Sequence, residues 1–190
     1  MRTEVRYRVA MISSSDVLQF WFSEASPQQW FAVDPSFDSL IRNRFGALLD
    51  AAAQCDLFAW RETAQGRLAE IIVLDQFSRN VYRGTAHAFA QDPLSLALAQ
   101  VAVRAGALTE LNEMERAFML MPYMHSESRS IHAIAEPLFK EFTPATNYEF
   151  EVKHKASIDR FGRYPHRNEL LGRESTDEER EFLKEPDSSF

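Results

Sequence analysis

The run from Leu68 to Ala90 reads LAEIIVLDQFSRNVYRGTAHAFA. Its first half is a helix whose apolar residues surround it so completely that it must be buried on most sides, inside a jacket of other elements. At about 100° of rotation per residue, Leu68, Ile71 and Ile72 centre one stripe, and Asp75 and Arg79 fall within roughly 20° of its middle. An acid and a base thus point where the core should be. This helix is predicted to organise the rest of the chain.

The jacket is predicted to be helical too. A chain of 190 residues that is 45% hydrophobic is long enough for one substantial core and short for two. Six Gly and eight Pro are few for an all-β chain, and Ala, Leu, Glu, Arg and Gln dominate the periodic stretches. The expected fold is all-α, a single-domain stacked array of about eight or nine helices. The domain is expected over 14–185, behind an extension over 1–13 and before a tail over 186–190. Met11 is read as the natural start, because the ten residues before it differ in character from the rest of the chain.

A net charge of −7 gives no global attraction for nucleic acid or an anionic membrane. Nowhere does the sequence approach the roughly 20 apolar residues of a membrane span. The lone Cys55 leaves no internal disulfide and fits a reducing compartment, so the expected address is cytoplasmic.

In chain order, Ser14 or Ser15 is expected to cap a short helix through Phe22 whose aromatics enter the core. Pro27 starts a short turn carrying Trp30 and Phe31. Asp34-Pro35 reads as a cap and first-turn proline for a long helix to Ala53, in which Phe37, Leu40, Ile41, Phe45, Leu48 and Leu49 recur at spacings of three and four. Thr63 caps the central helix, which ends near Asn80 before a turn at Gly84. Asp92-Pro93 reads as another cap and start, for a helix to Ala105 that Gly106 terminates. Asn112 or Thr109 begins a segment over Glu113 to Leu120, which Pro122 is expected to stop. Helix resumes near Ser126, and Pro137 is expected to kink or divide it before Phe142. Thr143-Pro144 begins the next helix, to Phe161, with Gly162 at its end. Ser175 with Glu178 reads as a capping box for a short acidic helix.

Several side chains could carry chemistry. Asp75 and Arg79, one turn apart, form either a structural ion pair or the floor of a polar cavity in which Arg79 binds an anion bidentately. His154 shares a face with Phe150, Ile158 and Phe161, as a satisfied core histidine or as a catalytic or ligand-binding one. His125 and Glu127, in the junction MPYMHSE, could form an acid/base pair or offer two metal ligands. Neither a zinc-type His-Glu-x-x-His helix nor a Cys pair accompanies them, so no metal site is expected. From Lys153 to Arg173 there are six Lys or Arg against two acids. The loop in that stretch, with Arg163, His166 and Arg167, is either an anion site or a loop pinned by core carboxylates such as Asp75 or Asp92. Gly-rich phosphate loops, nucleophile elbows and triad spacings do not occur.

The segments Phe20-Trp21-Phe22, Trp30-Phe31, LDQFSRN at 74–80, YRGT at 82–85, AFAQD at 88–92, MPYMHSE at 121–127 and RFGRYPHRN at 160–168, followed by LGRES, together closely resemble a bacterial domain-of-unknown-function family, numbered 924. The resemblance spans Asp16 to the end and implies an all-helical fold similar to tetratricopeptide repeats. It implies no established activity and brings no catalytic assignments. After His-Ser-Glu that family continues with an acidic helix, roughly E-D-L-x-D-Q-E, where this chain has Ser128-Arg129-Ser130-Ile131-His132.

Two functions are expected on these grounds. One is a binder of a small anionic ligand, or an enzyme using acid/base chemistry, built on Asp75, Arg79, His125, Glu127, His154, Arg163, His166 and Arg167. The other is a module holding a peptide or protein partner in the groove of a helical array, with these residues as a structural ion-pair network. Cofactor, reaction and oligomeric state are not legible.

Overall fold

The computed structural model describes residues 12–186 and 188. The reading of Met11 as the start lies outside them, as does most of the 1–13 extension. Among the described residues the chain forms nine helical rods and no strand. They are α1 (Ser14–Gln19, continued by a π turn over Phe20–Glu24), α2 (Pro27–Phe31) and α3 (Pro35–Ala53). The central rod α4 joins Ala64–Ile72, a π turn over Val73–Phe77 and Ser78–Val81. Then come α5 (Asp92–Arg104), α6 (Glu113–Met124), α7 (Arg129–Phe142), α8 (Ala145–Phe161) and α9 (Asp177–Phe182).

The central rod packs against α1, α3, α5 and α6, and α5 to α8 follow as successive neighbours. Leu68, Ala69, Ile71, Ile72, Val73, Leu74 and Phe77 are all fully buried. Each Leu, Ile or Phe so buried contributes about 1.5–3 kcal/mol, so the rod is the main hydrophobic asset of the fold. An aromatic cluster seats its far end, with Phe77 against Trp21 at 5.6 Å and against Phe45 at 4.9 Å between ring centroids. At the near end Gly66 passes so close to the Trp60 carbonyl that a Cβ would sit 1.9 Å from its oxygen.

Most boundaries follow from capping. Asp34 accepts from the Ser36 and Phe37 amides, Thr63 from Gly66, and Asn112 forms a capping box with Glu115. Gly84, Gly106 and Gly162 all take positive φ where the sequence placed turns or helix ends.

Five local expectations are corrected. The first helix is capped by Ser13 with Asp16, one residue before the expected serines. Pro122 does not stop α6, which runs on to Met124. Pro137 does not divide α7. A proline inside a helix forfeits one backbone hydrogen bond, and here the buried faces of α6 and α7 keep each rod whole. The last capping box belongs to Thr176 and Glu179 rather than Ser175 and Glu178. Finally, Asp92 is the first residue of α5 and not its cap, because its carboxylate is turned away to two arginines.

Candidate functional site

Asp75 sits in the π turn of α4, where the wider helical turn aims its carboxylate into the rods. Because α6 runs past Pro122, His125 becomes its C-terminal cap and reaches the same point. Oδ1 of Asp75 meets His125 Nδ1 at 2.8 Å and Arg79 Nη1 at 3.0 Å, while Oδ2 accepts from Gln76 at 2.6 Å. Arg79 also grips both carboxylate oxygens of Asp92, at 3.0 and 3.2 Å. From the other side Arg167 Nη1 donates to Asp92 Oδ2 at 3.1 Å and to the His125 carbonyl at 3.2 Å. Both guanidiniums face the Phe89 ring, and Arg167 also lies 4.5 Å from the Tyr164 centroid.

Burial alone would push the Asp75 carboxyl up, yet Arg79, His125 and Gln76 together hold it well below the ordinary carboxylate range, so it is ionised. Burial and the Arg79 charge lower the His125 pKa against the opposing pull of Asp75, which leaves a neutral imidazole at neutral pH. Its Nδ1–H donates to Asp75. Nε2 is therefore a bare base; it takes no hydrogen bond from the described residues, and the side chain keeps 14% exposure. Burial also lowers the Arg167 pKa, and its Nε is enclosed with no hydrogen-bond partner among the described residues.

The other candidates stand around this node. Glu127 does not pair with His125. Its carboxylate accepts the Tyr164 amide at 2.8 Å and Arg173 bidentately at 2.6 and 2.9 Å. Arg163 holds Glu179 of α9 at 2.6 Å and the Glu174 carbonyl. His154 is buried, donates Nδ1–H to the Phe150 carbonyl at 2.7 Å and lies against Tyr164, and burial drives its pKa to about 3. His166 stacks near the same Tyr164 ring with a pKa lowered by burial to about 4. Of the residues singled out from sequence, Asp75, Arg79, His125 and Arg167 meet directly. Glu127 and Arg163 hold the loop that brings Arg167 in, and His154 and His166 flank its tyrosine. No cluster of His, Cys, Asp or Glu among the described residues could hold a metal ion.

Sequence reasoning did not single out Gln76, Phe89 or Tyr164, although all three lie inside conspicuous motifs. The buried contact of His132 with Glu151, at 2.7 Å, had no signal at all.

A family model described as a bacterial protein of unknown function (DUF924) matches residues 17–187. The chain belongs to this family. Every residue of the node lies inside the stretch matched to DUF924. The chain is similar to a protein of unknown function, ATU0120, from Agrobacterium tumefaciens, whose solved structure aligns with a TM-score of 0.86 and 38% identity over 90% of this chain and 96% of that one. No curated protein matches the sequence. Among the described residues no helix is long and apolar enough to cross a membrane.

Proposed function

We propose that the node binds a small carboxylate- or phosphate-bearing molecule and that His125 exchanges a proton with it. The observation that carries this reading is the Asp75–His125 pair: a neutral imidazole fixed by a buried ionised carboxylate, in a side chain that keeps 14% exposure, beside two guanidiniums. A proton taken up at Nε2 gives an imidazolium already facing its counter-charge, which is the arrangement general acid/base chemistry requires. Arg79 and Arg167 supply the anion seat, and Asp92 is the chain's own carboxylate resting in it. With Asp92 swung outward, two guanidiniums face one remaining carboxylate and attract an external anion. The single free thiol, Cys55, supports a cytoplasmic setting.

The test is an NMR titration of the intact chain with inorganic phosphate, acetate and succinate, following the His125 ring and Arg167 side-chain nitrogens. Saturable shifts that disappear in His125→Ala and Arg167→Met support the reading. Responses that never saturate, or that persist in both variants, overturn it.

A further inference from the structure

Between α7 and α8 lies a second titratable pair, remote from solvent. His132 and Glu151 are both fully buried. His132 Nε2 is 2.8 Å from the Ser126 carbonyl oxygen and 3.2 Å from the Tyr164 hydroxyl, which donates its own hydrogen to the Met124 carbonyl. A carbonyl oxygen only accepts, so Nε2 must carry hydrogen. The ring's other nitrogen, Nδ1, faces Glu151 Oε1 at 2.7 Å. That contact also needs one hydrogen. The pair therefore holds one proton more than a neutral imidazole beside a carboxylate.

Where that proton sits is decided by the second carboxyl oxygen. Glu151 Oε2 is buried and accepts from no group among the described residues. A carboxylate would leave part of its charge there with no donor among the described residues, whereas a carboxylic acid leaves only a carbonyl-like oxygen. We propose that Glu151 is a protonated carboxylic acid in the native protein, donating to Nδ1 of a neutral His132, and that this proton is the latch that closes α7 on α8 and holds the Ser126 carbonyl beside His125.

The surroundings agree. Burial, outweighing the His132 contact, raises the Glu151 carboxyl, and the Glu136 carboxylate of α7 pushes the same way. Lys155 of α8 opposes them, but it is drawn to Asp159 at 2.5 Å and leans toward Glu136. His154, on α8, is kept neutral by burial. Tyr164, whose hydroxyl lies 3.2 Å from His132 Nε2, carries Arg167 over its ring and donates its amide to Glu127. From α6 the pair meets the backbone next to His125, whereas the charged residues Glu113, Glu115 and Arg116 lie in the first turns of that helix, at least about 12 Å away along its axis. Loss of the proton would set a bare carboxylate against a bare Nδ1, and the latch would open. His132 of this pair also helps to finish the end of α6, where the Met124, His125 and Ser126 carbonyls accept from Tyr164, Arg167 and His132 in turn. The inference does not depend on what His125 binds.

The sign of the linkage is fixed. The unfolded chain releases the Glu proton near pH 4.3 and the His proton near pH 6.5, roughly as free side chains do. Above about 6.5 the folded pair holds one proton that the unfolded chain lacks, so stability falls as pH rises until the pair lets go. Glu151→Gln removes the proton and keeps the hydrogen bond, because the amide N–H donates to Nδ1 as the acid did. Urea denaturation of wild type and Glu151→Gln between pH 6.5 and 9 is the first measurement. The wild-type folding constant is expected to fall tenfold per pH unit relative to the variant, about one proton's worth. Parallel profiles overturn the proposal. Carboxyl carbon and imidazole nitrogen shifts of the wild-type protein at pH 7 are the second measurement. An acid carbon at Glu151 and a neutral ring at His132 support it, and a carboxylate facing an imidazolium overturns it even where the variant fails to fold.

Discussion

Asp75 carries three different obligations on two oxygens. It orients His125, neutralises Arg79 and satisfies Gln76, all in a turn from which water is excluded. Asparagine at this position keeps the shape and loses the charge. One of its two terminal groups then presents N–H where Arg79, His125 or Gln76 also presents N–H. Breaking a buried pair on one side costs about 3–5 kcal/mol, so Asp75→Asn is expected to lower stability by about 3 kcal/mol in urea denaturation, since Arg79 keeps Asp92. The same variant should also lower the His125 titration midpoint seen by NMR, because the attraction that favours the imidazolium is gone. Loss of stability with an unmoved His125 midpoint would mean that the carboxylate does not set the state of the imidazole.

At the scale of elements, the loop from Arg163 to Arg173 is tied at three points. Arg163 fastens it to α9, Arg167 to the start of α5, and Arg173 with the Tyr164 amide to Glu127 after α6. The third tie is the one that sets where Arg167 emerges. Truncation in Glu127→Ala leaves the enclosed Tyr164 N–H and the Arg173 guanidinium without their acceptor, a loss of about 2 kcal/mol locally. Hydrogen exchange at the Tyr164 amide should accelerate by about thirtyfold, while amides in the α4 rod stay protected. Uniform acceleration across both would show that the loop has no stability of its own to lose. These ties explain what could and could not be read from sequence. The burial of the Leu68–Asn80 rod and the Asp75–Arg79 contact follow from helical periodicity, which is local, whereas charge balance left the basic loop open between an anion site and a loop pinned by Asp75 or Asp92. The π turn at Val73–Phe77 was hidden, since no residue type announces a widened turn. The destination of Glu127 was hidden too, because its partner Arg173 lies 46 residues away and the spacing to His125 suggested a nearer one. His132 and Glu151 gave no warning because each sits singly among ordinary helix formers on a different rod.

Across the whole molecule, acid and base act on different groups and leave stability greatest between them. His154 is buried and neutral, with its pKa driven down by burial to about 3, while an unfolded histidine takes its proton near the ordinary 6.5. A base depressed in the folded state stabilises the protein above its unfolded pKa. That contribution is lost as pH falls, at about 1.4 kcal/mol per pH unit, from about 6.5 down to the folded value. His166, lowered to about 4, adds to the same slope. The depressed Asp75 begins to lose its contribution only below the ordinary carboxylate value of 3.8, well after the histidines have begun to act. Early acid destabilisation is therefore a histidine effect. In His154→Leu the side chain keeps a similar bulk and loses the hydrogen bond to the Phe150 carbonyl, so the variant can be weaker or stronger at pH 7.5 for reasons unrelated to the proton. What must change is the slope: unfolding free energy measured in urea at pH 4.5, 5.5 and 6.5 should decline less steeply than in wild type by about one proton, near 1.4 kcal/mol per unit. An unchanged slope would mean that His154 takes up its proton in the folded state as readily as in the unfolded one, and would overturn the reading of His154 as a base held neutral by burial. On the alkaline side the Glu151 latch sets the opposite slope, so the pH of greatest stability should lie near the point where a free histidine titrates, about 6.5.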